Sequence, residues 1–429
     1  MILQAPGGPN SLAPRLLTRC RAALPLLAAA FVSVTAAMAQ QAGQNFPDGP
    51  GKSAVLGICG GCHDLNRLTA GYSPEGWQSV VRMMRNFGAP IPPDQVETVT
   101  AYLTQSFPEK PRPAAALIPG PVEVTIKEWP VATPGSRPHD PLAARDGSLW
   151  YSGQLANVLG RLDPATGQIK EYHLNPQTGP HGLKEDKDGN IWFTGNFAGL
   201  IGKLDPKTGA VTEYKMPDPA AKDPHSLVFD HDGIIWFTAQ VGNKVGRLDP
   251  ATGAIRLATP PTPNARPYGI VVNSKNVVYF VEFGAPKIAT IDSKTMAIRE
   301  FPLPDPAARP RRLAIGEGDV IWYSDFARGT LGRLDPATGQ VTEWPSPSGP
   351  QSQPYGMVFT KGAVWYSESR AKPNTIVRFD PKTAKFQSWA IPGGGDIVRN
   401  MDVNRDGNPV IANSLVNKVG VIAVKGASN

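Results

Sequence analysis

Two cysteines and a histidine form the most specific chemical motif in this sequence. Residues 59–63 read Cys-Gly-Gly-Cys-His, the attachment motif of c-type haem. The thiols of Cys59 and Cys62 would form thioethers with the haem vinyl groups, and His63 would be the proximal iron ligand. A redox C-x-x-C requires a βαβ frame, and a zinc site requires a second pair of Cys or His nearby. The sequence favours neither alternative, so we predict covalently bound haem c.

Three further histidines share a local sequence. His139, His181 and His225 each follow a proline, at intervals of 42 and 44 residues. Imidazole is a common metal ligand and a base near neutral pH. If the fold brings the three together, they predict either a three-histidine metal site or a cluster of general bases. The alternative is that each one only hydrogen-bonds its neighbour in a hairpin.

A small helical domain must position the haem. Gln78 to Phe87 has helical periodicity, and Pro93 begins a second helix that runs to about Ser106. Residues 46–107 resemble class I cytochrome c domains, in which a W-x-x-x-V-x-x-M stretch follows the C-x-x-C-H helix. Here that stretch runs from Trp77 to Met84.

The resemblance implies that Met84 is the distal iron ligand. Met83 is the alternative, and either side chain could instead fill the core. A His/Met ligand pair gives a relatively high reduction potential, which suits electron transfer to or from a redox partner protein. Residues 108–121 are rich in proline and lack periodicity, so we predict a semi-rigid linker there.

The histidines with prolines belong to a repeat that fills the rest of the chain. An aromatic residue ends the second apolar run of each copy at intervals of 42, 44, 43, 43 and 43, at Trp150, Trp192, Trp236, Tyr279, Trp322 and Trp365. A period near 43 with four strands per copy is typical of a β-propeller. A seventh copy, Met401 to Val424, ends after three strands, and residues 122–131 match the missing fourth. We predict a mainly all-β chain: a seven-bladed propeller over 122–425, closed by its N-terminal strand, after a small α-helical cytochrome c domain.

The repeat predicts which residues surround the central channel. The residue that opens each first strand should face the residue that closes the second, because the turn falls midway between them. The predicted pairs are His139 with Gly153, His181 with Gly195, His225 with Ala239, Tyr268 with Glu282, Arg311 with Asp325, Tyr355 with Glu368 and Arg399 with Asn413. We expect a small-molecule ligand at this rim; Arg311 and Arg399 would suit an anionic one unless they pair with neighbouring acids.

The repeat text P-H-G-L…D-G-x-I-W-F-T…I-G-K/R-L-D-P-x-T-G resembles the virginiamycin B lyase (streptogramin lyase) family of propellers. The resemblance implies a histidine general base and a glutamate that binds Mg²⁺ to polarise the ester being eliminated. In this sequence the acids stand in blades that open with Tyr or Arg. The nearest match places His225 beside Glu282 of the next blade, with His181 on the other side. These three are the predicted catalytic residues, and His139 joins them as a ligand of a rim metal, Mg²⁺ or another divalent ion.

Three functions follow from these features. The first is a metal-assisted carbon–oxygen lyase that acts on a secreted cyclic or ester-linked compound. The second is an oxidoreductase in which the haem exchanges electrons with chemistry at the rim, because an elimination alone needs no electrons. The third is a ligand-binding propeller without catalysis, whose cytochrome serves a separate partner. We expect a monomer.

The N-terminus and the overall charge bear on the location of the protein. Arg15, Arg19 and Arg21 precede an apolar run that ends in Ala37-Met38-Ala39, which predicts a secretory signal peptide over residues 1–39. Its removal lowers the formal net charge from +7 to about +4 (7 − 3) and takes away Cys20. That charge is too small and dispersed to favour nucleic-acid binding. No later segment has the roughly 18 apolar residues of a membrane span. We predict a periplasmic or secreted protein.

Overall fold

The computed structural model describes residues 46–60 and 65–425, without the side chains of Asn66 and Arg67. The predicted signal peptide, Cys20, Cys62 and His63 lie outside the described residues. The chain divides into two compact units that meet between Lys110 and Pro111. None of the helices in the described ranges is long and apolar enough to cross a membrane.

The first unit is helical. Its helical segments are Lys52–Ala54, the π-helical turn Val55–Cys59, the 3-10 turns Leu65–Ala70 and Pro93–Gln95, and the helices Pro74–Asn86 and Val96–Ser106. The hydroxyl of Ser73 accepts a hydrogen bond from the backbone N–H of Gly76 and caps the helix that begins at Pro74. Trp77 is buried in the core of this unit, where its Nε1 donates to the carbonyl oxygen of Phe107 at 2.8 Å.

The second unit contains seven four-stranded antiparallel sheets, so the predicted seven-bladed propeller is confirmed. The first four sheets are β2–β5 (Pro138–Ala143, Leu149–Gly153, Val158–Leu162, Ile169–His173), β6–β9 (Pro180–Glu185, Ile191–Gly195, Leu200–Leu204, Val211–Lys215), β10–β13 (Pro224–Phe229, Ile235–Ala239, Lys244–Leu248, Ile255–Ala258) and β14–β17 (Pro267–Val272, Val278–Glu282, Lys287–Ile291, Ile298–Pro302).

The last three sheets include the one that closes the ring. They are β18–β21 (Pro310–Ile315, Ile321–Asp325, Thr330–Leu334, Val341–Pro345), β22–β25 (Pro354–Thr360, Ala363–Glu368, Thr375–Asp380, Lys385–Ala390) and β26–β28 (Val398–Val403, Pro409–Asn413, Lys418–Lys425) with β1 (Glu123–Pro130); the 3-10 turn Glu317–Asp319 joins β18 to β19. In the seventh sheet β1 pairs with β28 from Glu123↔Lys425 to Pro130↔Lys418. The ring therefore closes through backbone hydrogen bonds between its first and last strands, which covers an otherwise unpaired edge.

Glycine in the third strand of several blades makes room for an aromatic ring of the second strand. A Cβ built on each of these glycines would lie 2.0 Å from a ring atom, in the pairs Tyr151 with Gly160, Phe193 with Gly202, Phe237 with Gly246 and Tyr323 with Gly332. No side chain fits in that space, so the I-G-K/R-L part of the repeat reflects packing and not chemistry.

The part of the predicted linker that belongs to the second unit lies along the sixth blade. Ser388 of β25 accepts a hydrogen bond from the backbone N–H of Ile118 at 2.8 Å and donates to the carbonyl oxygen of Ala116 at 2.5 Å. Arg112 forms an ion pair with Asp396 at 3.0 Å. Residues 112–118 are thus held by contacts along the propeller surface.

Candidate functional site

The inner strand of every blade has an irregular register at its start, which corrects the predicted rim pairs by one residue. Gly153, Gly195, Ala239, Glu282, Asp325, Glu368 and Asn413 pair with Pro138, Pro180, Pro224, Pro267, Pro310, Pro354 and Val398. The predicted partners, from His139 to Arg399, are one position later. A β-bulge puts two residues opposite one, so the ladder resumes shifted and the bulged side chains are re-aimed.

The residues at this second position form one ring around the propeller axis, which we call the axial ring. Its members, one per blade, are His139, His181, His225, Tyr268, Arg311, Tyr355 and Arg399. Neighbouring rings lie against one another: the centroid distances are 3.6 Å from His139 to His181, 3.8 Å from His181 to His225 and 3.8 Å from His225 to Tyr268. The structure therefore brings together the three histidines that the sequence singled out.

Hydroxyl groups of the second strands fix the backbone under the axial ring. Each donates to a carbonyl oxygen of the next blade's inner strand, at 2.7 to 3.0 Å, in the pairs Ser152 with His181, Thr194 with His225, Thr238 with Tyr268, Ser324 with Tyr355 and Ser367 with Val398. The Ser or Thr in the W-[FY]-[ST] part of the repeat thus joins neighbouring blades, and most of these bonds end on a ring residue.

Arg311 occupies the aromatic half of the axial ring. Its guanidinium carbon lies 3.9 Å from the ring centroid of Tyr355, 4.1 Å from that of Phe326 and 4.7 Å from that of Phe283. The hydroxyls of Tyr268 and Tyr355 are hydrogen-bonded to each other beside it. Cation–π contacts on several faces hold a guanidinium in one orientation.

The next residue of each inner strand forms a layer directly beneath the axial ring. Its polar members, Asp140, Ser226, Arg312 and Asn400, come from four different blades, and we call them the axial plug. Arg312 reaches across the axis: Nη1 donates to the Ser226 hydroxyl at 2.8 Å and Nη2 to Oδ1 of Asp140 at 3.3 Å. Asn400 donates to the other carboxylate oxygen of Asp140 at 2.7 Å.

The axial plug also orients two of the histidines. Nδ1 of His139 lies 2.7 Å from Oδ1 of Asp140, and Nδ1 of His225 lies 3.1 Å from the Ser226 hydroxyl. A cavity of about 220 Å³ lies next to the plug; inner-strand residues of all seven blades line it, and no residue of the axial ring does. Asp140 and Arg312 were not among the predicted site residues, although each directly follows a ring residue in the bulged stretch.

The three histidines are neutral near neutral pH. Burial lowers the pKa of His139, His181 and His225 well below its usual range, and the positive charge of Arg312 acts in the same direction on all three. Each side chain is less than 5 % exposed. A neutral imidazole can accept a proton or bind a metal ion without first losing one.

The described interactions of Glu282 are with residues of its own blade. Burial, and then the charge of Glu300, raises the pKa of Glu282 to about 8, while Lys287 opposes this. Both of these residues lie in the outer strands of the same blade. The described contacts of His225 are instead with Ser226 and with the rings of its neighbours in the axial ring.

The ligand atoms of His139, Asp140 and His181 do not fit Mg²⁺. Atoms of His139, Asp140 and His181 that could act as ligands lie within 4.8 Å of one another. Mg²⁺ prefers an octahedral set of oxygens, whereas this group offers two nitrogens and one carboxylate. That carboxylate already accepts hydrogen bonds from Arg312 and Asn400. A nitrogen-preferring divalent metal would suit the group better, although the nearby arginine charges oppose any cation.

Comparison with known proteins agrees with the fold and the repeat. Residues 120–371 match the virginiamycin B lyase family. A streptogramin B lyase structure is 28 % identical, with a TM-score of 0.64, over 70 % of this chain and 98 % of that one. Virginiamycin B lyase from Staphylococcus aureus is 25 % identical, with a TM-score of 0.64, over 70 % and 99 %. Its catalytically inactive His-to-Ala variant, with quinupristin, is 26 % identical, with the same TM-score and coverage. No curated protein sequence matches this chain.

Proposed function

We propose that this chain, which belongs to the virginiamycin B lyase family, breaks a carbon–oxygen ester bond by elimination at its axial ring. The observation that carries the proposal is the contact between three buried, neutral histidines on the propeller axis. A structural relative made catalytically inactive by a His-to-Ala substitution supports a role for histidine. The substrate class is a cyclic or ester-linked secreted compound.

In the proposed step, His225 acts as the general base and His181 supports it. The imidazole takes a proton from the carbon next to the one that carries the ester oxygen. The electrons of that C–H bond form a C=C bond, the C–O bond breaks, and the carboxylate leaves with the bonding pair. His225 lies between the rings of His181 and Tyr268, with centroid distances of 3.8 Å to each. We assign no step to Glu282 or to a metal ion.

Quinupristin is a suitable probe, because an inactive relative has been solved with it. Elimination should give a linear product of unchanged mass with a new C=C absorbance, whereas hydrolysis would add the mass of one water. We expect His225→Ala to lower kcat by at least about 100-fold, the lower range for a lost general base. His173→Ala, on an exposed outer strand, is the control and should keep full activity. Full activity in the His181→Ala/His225→Ala double variant would refute the proposal.

A second proposal concerns the first unit: it carries haem c through Cys59 and Cys62, with His63 and Met84 as axial ligands. Bound haem would supply electron transfer with a partner protein in the periplasm. The supporting observation is the helix Pro74–Asn86, which buries Trp77 and Val81. Met84 follows them at spacings of seven and three residues, on the same face of the helix, and Met83 does not.

Visible spectra of the purified protein test this second proposal. Methionine ligation to oxidised haem gives a weak long-wavelength absorption band, so Met84→Ala should abolish that band and Met83→Ala should leave it unchanged. Retention of the band in Met84→Ala would refute the assignment of Met84 as the ligand. The absence of covalently bound haem would refute the haem itself.

A further inference from the structure

We propose that the arginine-bearing half of the axial ring binds an anionic group, a carboxylate attached to an aromatic or apolar body. The subsite consists of Arg311 and Arg399, with Phe283 and Phe326 as its apolar wall. This subsite extends the proposed function, and it rests on that function because it would lie next to the proposed catalytic histidines.

The charge of the ring and plug is the first argument. Of the fourteen residues at these two positions, Arg311, Arg312 and Arg399 are cationic and Asp140 is anionic, which leaves about +2 (3 − 1). A net positive charge at a largely buried site is costly unless an anion accompanies it.

The second argument is that the three arginines differ in burial and in hydrogen bonding. Arg312 is buried and spans the axis to Asp140 and Ser226, so its role is within the plug. Arg311 and Arg399 are half-buried at the level of the ring. Arg399 donates from Nε to the Ser414 hydroxyl at 3.0 Å, which directs one edge of the guanidinium. A guanidinium held in this way presents a planar fork that matches a carboxylate.

The aromatic wall is the third argument. Phe283 and Phe326 are half-buried and lie 6.2 Å apart, with Arg311 packed against both. An apolar body could contact these rings while its anionic group meets the arginines.

Benzoate and benzamide are the probes, because they share an apolar ring and differ in charge. Calorimetric titration at constant ionic strength should give saturable benzoate binding to the wild-type full-length protein. Losing one charged hydrogen bond typically weakens binding by about 10- to 100-fold. We therefore expect benzamide, Arg311→Gln and Arg399→Gln each to show at least about a tenfold weaker Kd. Arg161→Gln, on the exposed face of blade one, should bind benzoate like the wild type.

Melting temperatures establish that the variants are folded. Arg311→Lys is a second variant at this position, and it keeps the positive charge but lacks the planar guanidinium group. It should bind benzoate more weakly than the wild type and more tightly than Arg311→Gln. Equal binding of benzoate and benzamide, wild-type affinity in both glutamine variants, or no saturable benzoate binding would overturn the subsite. If quinupristin is not turned over but the benzoate results hold, the lyase proposal fails and the anion subsite stands.

Discussion

Replacing Arg312 by leucine should be among the most destabilising single changes in the propeller. Arg312 is 4 % exposed, and its guanidinium makes three described hydrogen bonds, to Ser226, Asp140 and the backbone carbonyl of Arg399. These bonds join blade five to blades one, three and seven. Removing one partner of a buried ion pair costs about 3–5 kcal/mol, because the remaining charge stays buried. We expect Arg312→Leu to fall in that range.

The cost should come mainly from the carboxylate of Asp140 that is left behind. Asp140→Asn/Arg312→Leu should therefore be more stable than Arg312→Leu, by about 1–3 kcal/mol, the usual size of such coupling. Urea unfolding followed by tryptophan fluorescence measures both, since the chain has nine tryptophans. Two results would show that the plug is not a coupled network. One is a loss of less than about 1 kcal/mol in the free energy of unfolding of Arg312→Leu. The other is a loss in the double variant that equals the sum of the losses in the two single variants.

Three shorter predictions concern the blades. The pKa of Glu282 in the folded state is raised to about 8, so the folded state keeps a proton that the unfolded state loses. The contribution of Glu282 to the free energy of unfolding therefore falls as the pH rises from about 4.5 to 8. Glu282→Gln should make the melting temperature less dependent on pH over this window. Glu368→Gln changes the residue at the matching position of blade six and weakens charged hydrogen bonds, so it should lower the melting temperature at every pH in the window. Gly202→Ala should destabilise by about 1–3 kcal/mol or more, and Phe193→Leu in the same chain should restore part of that. Thr194→Val, which removes the hydroxyl bonded to the backbone of His225, should lower stability by about 1 kcal/mol and also reduce turnover; an unchanged urea midpoint would contradict it.

Much of the fold could be predicted from the sequence because each blade is a local unit. The aromatic positions from Trp150 to Trp365 gave the period, and the hairpin turns gave the strands. The match between residues 122–131 and the outer strands predicted which segment pairs with β28, as the structure has it. A backbone pattern that repeats seven times leaves few alternative arrangements.

The site was less predictable, for two physical reasons. The bulge at the start of each inner strand shifts the register by one residue, and a count of residues across the turn cannot detect it. The contacts of Arg312 join residues 86 and 172 positions apart, so they exist only in the closed ring. The interactions of Glu282 with Lys287 and Glu300 of its own blade could not be foreseen from the repeat alone.

The closure of the seventh sheet has a consequence for folding. Its outermost pair joins Glu123 to Lys425, 302 residues away along the chain (425 − 123). Blades made of consecutive hairpins can form from contacts close in sequence, but this sheet must wait for the two distant segments to meet, and such non-local pairing is slow. The axial ring and plug draw on the first and last blades alike. The protein should therefore pass through states in which most blades have formed but the axial ring and plug are still incomplete.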